Sequence, residues 1–309
     1  MERIKSPLIL DIKGNSLDDG PGIRSVIFFK GCPLSCVWCH NPESQKITAE
    51  VSFDKKSCVD CGACIDVCSE NALSKSLPEY VDRKRCTRCF KCVDVCPSTA
   101  LERVGREMTV EDIVNAVEKD KPFYETSGGG ITLSGGEPTV FTAFLARLLE
   151  QLKKSGTHTL LETCGHFNIE SFKSDLLPYL DMIYFDLKIM DTADHVKYCG
   201  ISNRTILENF KTIYTLCPDR MLPRVPLIPD ITDTVSNLKA IASYLAALDV
   251  KKISLLSYNP LWPEKCEKIG VTNLLPGNEK SLTWTSGEKM AKCREIFASE
   301  GILINGKHA

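Results

Sequence analysis

Gly128-Gly-Gly-Ile-Thr-Leu-Ser-Gly-Gly-Glu-Pro138 reads as a short apolar strand, residues 130–134, that runs into a glycine turn. Apolar residues at helical spacing follow over 143–153, so this stretch is a strand, a turn and a helix. The alternation continues on both sides. Strands are expected at 25–29, 157–163, 182–187, 221–225 and 252–257, and helices at 110–118, 206–215 and 235–248. Thr109 with Asp112, and Asp233-Thr234, supply helix-start signals. Strands separated by helices imply an α/β fold, a parallel sheet with helices packed outside it.

Composition excludes several classes. The chain has 309 residues, 43% apolar and 25% charged, the usage of an ordinary globular protein with chain enough for about two domains. The net charge of −2 argues against a nucleic-acid partner bound by phosphate neutralisation. No apolar run is long enough for a membrane span, so no membrane association is expected. The one N-terminal apolar run, Leu8-Ile9-Leu10, is broken by Asp11 and Lys13 with no cleavage pattern after it, and a cytoplasmic location is the expectation.

Sulfur is the anomaly. Eleven of the sixteen cysteines lie between Cys32 and Cys96, at spacings of two and three residues that suit metal ligation in a reducing compartment better than disulfides. Cys58-Val-Asp-Cys61-Gly-Ala-Cys64-Ile-Asp-Val-Cys68 recurs 28 residues later as Cys86-Thr-Arg-Cys89-Phe-Lys-Cys92-Val-Asp-Val-Cys96. Three thiolates two residues apart hold one cubane, and the fourth ligates the other. That rule assigns Cys58, Cys61, Cys64 and Cys96 to one 4Fe-4S cluster, and Cys86, Cys89, Cys92 and Cys68 to a second. A pair of zinc knuckles is the alternative, but it gives Cys68 and Cys96 no role. Ser69 stands where proline usually follows the last cysteine. The repeat defines an insert over 47–104 within a body formed by 1–46 and 105–309.

Upstream, Cys32-Pro-Leu-Ser-Cys36-Val-Trp-Cys39-His40 presents three cysteines with no fourth nearby. Three ligands leave one iron of a 4Fe-4S cluster open to a substrate; a zinc site completed by His40 is the competing reading. The other five cysteines, at 164, 199, 217, 266 and 293, read as buried thiols without ligand spacing. The segment Asp82-Arg-Lys-Arg85 reads as a solvated face, with the docking of an electron donor as its functional alternative.

The C-x3-C-x2-C triad with Trp38 before its last cysteine resembles the signature of radical S-adenosylmethionine enzymes. Asp19-Gly-Pro-Gly-Ile-Arg24 before it and Cys39-His-Asn-Pro-Glu43 after it resemble the activating enzymes of glycyl radical enzymes. The resemblance covers nearly the whole chain. It implies a partial (β/α)6 TIM-like barrel, incompletely closed so that a partner loop can enter, with an inserted bacterial-ferredoxin-like α+β domain. It implies three 4Fe-4S clusters and S-adenosylmethionine as cofactors, with a monovalent cation in at least one relative. The partners implied are a glycyl radical enzyme and a flavodoxin or ferredoxin donor.

Site roles follow from the resemblance. The cluster on Cys32, Cys36 and Cys39 would reductively cleave S-adenosylmethionine to a 5′-deoxyadenosyl radical, which abstracts hydrogen from a backbone glycine of the partner. Trp38, Gly135, Gly136, Glu137, Glu162, Thr163, Asp186, Lys188, Arg224 and Asn259 would contact the cofactor, with Glu162, Thr163 and Asp186 at the cation position. For Arg224 an internal ion pair is the alternative. Asn259 stands where histidine often follows the tyrosine of this segment, so that contact cannot carry charge. Asp19 would hold the partner's glycine loop. Two other functions share parts of the pattern: a radical enzyme modifying another peptide or small molecule, and a non-catalytic iron-sulfur electron carrier.

Overall fold

The computed structural model describes residues 6–271, 275 and 282–305. All six expected strands are present: β2 (Arg24–Lys30), β6 (Gly130–Gly135), β7 (Thr159–Thr163), β8 (Met182–Asp186), β9 (Met221–Pro226) and β10 (Lys252–Leu256). They run parallel and lie side by side in chain order. Sequential winding with right-handed crossovers sends every helix to one face of the sheet, and burying the other face requires the sheet to curl. Among the described residues the sheet has nine strands, and its order β11-β10-β9-β8-β7-β6-β2-β1-β5 ends on two edges, so it is open there.

Three strands were not expected. The first, β1 (Leu8–Ser16), pairs antiparallel with β2 and with β5 (Arg106–Glu107), and β11 (Leu303–Ile304) extends the other edge in parallel. In β1 only Ile9 and Ser16 are buried, so the strand lacks the apolar alternation that marks a buried face.

The four expected helices form at Val110–Val117, Thr142–Lys154, Arg204–Leu216 and Val235–Ala247. Thr109 and Asp112 make a reciprocal capping box, with bonds of 3.1 and 2.9 Å, and Thr234 caps the last of the four. Helices at Lys121–Ser127, Thr192–Cys199, Trp262–Ile269 and Gly287–Ala298 were not expected. The main core lies between the sheet and its helices, through Ile27, Leu133, Leu161 and Phe185 of the strands and Leu145, Leu148 and Phe210 of the helices.

Residues 50–104 build a separate two-stranded sheet, β3 (Glu50–Phe53) antiparallel to β4 (Leu101–Val104). The sequence repeat is also a backbone repeat. Short helices Ala63–Asp66 and Lys91–Asp94 follow left-handed residues at Gly62 and Phe90, and left-handed pairs recur at Asp60/Arg88 and Asn71/Thr99. Ser69 therefore leaves the first half with the same path as the second. Lys30 of β2, fully buried, reaches Glu50 at 2.8 Å and ties this sheet to the body. Helix Trp262–Ile269 adds a second tie: Lys268 pairs with Asp54 at 3.0 Å and Glu264 with Lys56 at 3.0 Å.

Candidate functional site

The loop that leaves β2 carries the cysteine triad. Its backbone is pinned at four points: Gly31 N–H donates to Ser44 O at 2.6 Å, Cys32 N–H to Gln45 O at 3.1 Å, Ser35 N–H to Cys199 O at 2.9 Å and Val37 N–H to Tyr198 O at 3.0 Å. Lys265 holds the far end, at 3.0 Å from His40 O and from Asn41 Oδ1 and 3.1 Å from Glu43. The three thiols are thus presented by a fixed loop, and all three open on a cleft of about 490 Å³ at the C-terminal ends of the parallel strands, where enzymes of barrel type place their chemistry.

Asp19, Trp38, Gly135, Gly136, Glu162, Thr163, Asp186, Lys188, Arg224 and Asn259 line the same cleft. Glu137 does not. It is fully buried, and its carboxylate accepts from Cys164 N–H at 2.7 Å, Thr139 Oγ1 at 2.7 Å and Thr163 Oγ1 at 2.9 and 3.0 Å. Glu137 therefore fastens the end of β6 to the end of β7, its carboxylate taken up by protein donors. The glycines before it also serve the protein. A Cβ on Gly135 would lie 2.5 Å from Phe29 N, and one on Gly136 would lie 2.3 Å from Gly31 O, so the turn packs directly on β2 and the triad loop.

Four charges form the floor of the cleft. Arg224 Nε donates to Asp186 Oδ1 at 2.9 Å, and its NH1 donates to Glu162 Oε1. Lys188 Nζ donates to Asp186 Oδ2 at 3.0 Å, and Ser134 Oγ to Glu162 Oε2 at 2.6 Å. Burial works against the charge of Asp186, yet Arg224 and Lys188 outweigh it and hold the carboxyl below its ordinary range. For Lys188 too burial opposes the charge, and Asp186 with the thiols of Cys36 and Cys164 holds it above the usual lysine range. Glu162 is shifted upward by burial despite Arg224. Every carboxylate oxygen of the pair already takes a protein donor, and two positive charges meet two negative ones. Asp19, which lines the same cleft, is a further carboxylate acting on Glu162.

Asp19 sits at the mouth, its carbonyl accepting from Thr132 Oγ1 at 2.7 Å and its carboxylate bonded to Ser16. Arg24, fully buried, donates to the same Thr132 hydroxyl at 2.7 Å and to Pro21 O at 3.2 Å, which fixes the turn. Asn259 Oδ1 accepts from Leu261 N–H at 2.9 Å. Ser134 and Asn41, which lie within the quoted motifs, also line the cleft, and sequence reasoning missed Asp18, Leu34, Pro226, Ile228, Leu256 and Ser257 as lining residues. It also set aside two cysteines that stand against the triad: Cys164 lines the cleft beside Cys32, and Cys199 meets Cys36. His40 keeps its buried Nε2 without a protein partner, and burial with the nearby Lys265 pushes its pKa down to about 4, which leaves the ring neutral.

Two smaller cavities lie within residues 50–104. One is lined by Cys58, Cys61, Cys64 and Cys96 with Phe53 and Tyr80, and the other by Cys68, Cys86, Cys89 and Cys92 with Val51 and Val81. Each gathers three cysteines of one repeat and the last cysteine of the other. Among the described residues no three His, Cys, Asp or Glu side chains converge as ligands of a single metal ion would.

A sequentially wound, open sheet with a thiol-lined cleft at the C-terminal strand ends defines an α/β enzyme of the partial-barrel class. The radical SAM superfamily model matches residues 26–239. The chain is 40% identical over 296 residues to the trans-4-hydroxy-L-proline dehydratase activating enzyme of Clostridioides difficile, covering 94% of this chain and 96% of that one. It is 39% identical over 265 residues to an isethionate sulfite-lyase activating enzyme of Oleidesulfovibrio alaskensis, covering 84% and 85%. It is 36% identical over 310 residues to the benzylsuccinate synthase activating enzyme of Thauera aromatica, covering 97% and 92%. A radical SAM methyltransferase from Sphaerobacter thermophilus shares the fold, with a TM-score of 0.55 at 12% identity over 97% of this chain and 76% of that one. The chain belongs to the radical S-adenosylmethionine superfamily, among the activating enzymes of glycyl radical enzymes. That membership displaces the reading as a non-catalytic electron carrier.

Proposed function

We propose that Cys32, Cys36 and Cys39 hold a 4Fe-4S cluster whose fourth iron is left to S-adenosylmethionine, and that the cleft floor positions this cofactor for attack on a partner's glycine. When bound, the cluster and cofactor together supply an electron and a 5′-deoxyadenosyl radical; the chain supplies geometry and exclusion of water. Lys188 offers a cation to the cofactor carboxylate, and Thr163 and the turn at Gly135 and Gly136 line its amino end. Arg224 keeps Glu162 and Asp186 in place, and with Lys188 it balances their two negative charges. Asp19, on a turn fixed by Arg24 and Thr132, faces the entering glycine loop. The observation that carries this reading is three thiols from one pinned loop opening on the same cleft as the Lys188–Asp186–Arg224–Glu162 array.

The reading extends to the small sheet. In this reading residues 47–104 are a ferredoxin-like insert in a body of 1–46 and 105–309 that holds two further 4Fe-4S clusters, three in all; the grouping of three cysteines of one repeat with the last of the other supports it. A reduced flavodoxin or ferredoxin in the cytoplasm supplies the electrons. No helix among the described residues is long and apolar enough to cross a membrane. The named relatives serve enzymes of different chemistry at 36–40% identity, and the choice of glycyl radical enzyme is assigned to the Asp19 loop, the surface of the insert and the last strands.

The test is anaerobic reconstitution followed by S-adenosylmethionine and dithionite. 5′-Deoxyadenosine and methionine are expected, and a glycine-centred doublet in electron paramagnetic resonance when a cognate partner is added. Zinc at the triad, or no deoxyadenosine, would overturn the reading.

A further inference from the structure

The two cysteine loops share one spacing and carry opposite charge. Residues 55–70 hold two basic side chains, Lys55 and Lys56, and three acidic ones, Asp60, Asp66 and Glu70. The corresponding residues 83–98 hold five basic ones, Arg83, Lys84, Arg85, Arg88 and Lys91, and one acidic one, Asp94. The reversal is sharpest beside the exposed thiol of each loop, where Asp60 precedes Cys61 and Arg88 precedes Cys89. Asp60 and Arg88 share the left-handed backbone, at φ 62° and 59°, so the two side chains leave equivalent points of the loops.

Several of these charges are already engaged. Arg83 is half-buried and donates to Val51 O and to Lys268 O, Arg85 lies 3.6 Å from Asp82, and on the first loop Lys56 pairs with Glu264 and Asp60 with Lys75. Lys84, Arg88 and Lys91 are exposed and make no ion pair among the described residues; Arg88 meets only the Thr48 hydroxyl, at 3.3 Å. Arg103 of β4, also exposed, stacks 4.6 Å over the Phe90 ring, next to Cys89. Arg88 and Lys91 line the cavity of this exposed thiol together with Glu70 of the first repeat, Arg103 packs on the adjoining Phe90, and Lys84 lies five residues before Cys89; Asp94 and Glu102 are the further acidic neighbours in sequence. A group bound by an exposed cysteine lies near solvent, and unpaired like charges around it produce a field that steers an oppositely charged partner.

We propose that Lys84, Arg88, Lys91 and Arg103 form the docking face for the electron donor, an acidic one-electron carrier of the flavin or iron-sulfur class. Electrons therefore enter at the site of Cys68, Cys86, Cys89 and Cys92, and the twin site of Cys58, Cys61, Cys64 and Cys96 is not an entry point. One electron leaves the reduced carrier and one is taken up at that site; no bond is made or broken. The inference rests on the reading that these four cysteines hold a 4Fe-4S cluster.

The test uses the full chain with its clusters, and a bacterial flavodoxin as probe. Binding of oxidised flavodoxin is measured by calorimetry, and oxidation of its hydroquinone by stopped flow, each from low to high salt. A Lys84→Glu/Arg88→Glu/Lys91→Glu variant is compared with a Lys13→Glu/Lys55→Glu/Lys119→Glu control carrying the same charge change. The first is expected to lose about 30-fold or more in the low-salt rate and most of its salt dependence. The control should stay within about 2-fold of the parent. Equal losses in the two variants, a rate indifferent to salt, or tighter binding to a DNA duplex than to flavodoxin would each overturn the proposal. If the triple reversal loses iron, the Lys84→Gln/Arg88→Gln/Lys91→Gln variant is read by its salt slope instead. Dithionite bypasses the docking face, so failure of dithionite to drive cleavage in the parent protein sinks the proposed function, whereas intact dithionite cleavage with unaltered flavodoxin kinetics sinks only this inference.

Discussion

Arg224 Nε lies 2.9 Å from Asp186 Oδ1, and the same guanidinium pairs with Glu162, so one side chain bridges the ends of β7 and β8 from β9. Arg224→Gln leaves two carboxylates facing Lys188 alone. We expect S-adenosylmethionine affinity to fall by about 30-fold, roughly 2 kcal/mol, in an anaerobic binding titration. Added potassium or sodium should restore part of it, because the substitution opens the vacancy that the guanidinium fills. The parent should bind equally well with choline as the only added cation; a strict potassium or sodium requirement there would show that Arg224 does not meet the need.

Glu137 predicts a loss of stability that precedes any loss of chemistry. Its carboxylate is the acceptor for Cys164 N–H and the Thr163 and Thr139 hydroxyls, all in a buried setting. Glu137→Ala strands these donors at about 1–3 kcal/mol each before relaxation, so a decrease of about 3 kcal/mol in urea unfolding is expected without any cofactor present. A residue acting as a cofactor ligand alone would leave that midpoint unmoved.

The crossed cavities make the last cysteine of each repeat diagnostic. Cys96→Ala should cost the site formed with Cys58, Cys61 and Cys64, removing about four of about twelve irons, while the Cys68 site keeps its spectrum. Iron analysis with Mössbauer spectroscopy of both single variants checks this. Loss from the variant's own repeat would show that ligation is not crossed.

Asp181 gives the acid limb of stability a named contributor. Burial alone would raise its pKa, but Lys153 and the N–H of Thr159, 2.9 Å from Oδ2, hold it below the ordinary range. A carboxyl depressed in the folded state adds stability that is present above its unfolded pKa of about 3.9 and is lost as pH falls through the folded value. Asp181→Asn should therefore unfold earlier than the parent at neutral pH, and the difference should close below about pH 4. Thermal unfolding across pH 3–7 checks the convergence.

Much of this was legible in the sequence because its physics is local. Thiol spacing groups three cysteines of each repeat with the last of the other, as the two cavities do, and the 28-residue repeat reappears in the backbone at Gly62 and Phe90. The six strands of the spine are read from short apolar runs, whereas β1 hides its one buried apolar position, Ile9, among polar neighbours. Glu137 looked like a cofactor ligand because its motif lies at a strand end. Only the folded chain shows its carboxylate turned inward to Thr163 and Cys164 N–H. Cys164 and Cys199 have no spacing relative to the triad, since tertiary folding alone brings them to it.

Helix Trp262–Ile269 grips the triad loop through Lys265 and the small sheet through Lys268 and Glu264. Together with the buried Lys30–Glu50 pair, this two-turn helix makes the placement of the inner thiol loop and that of the outer cysteine loops depend on one another.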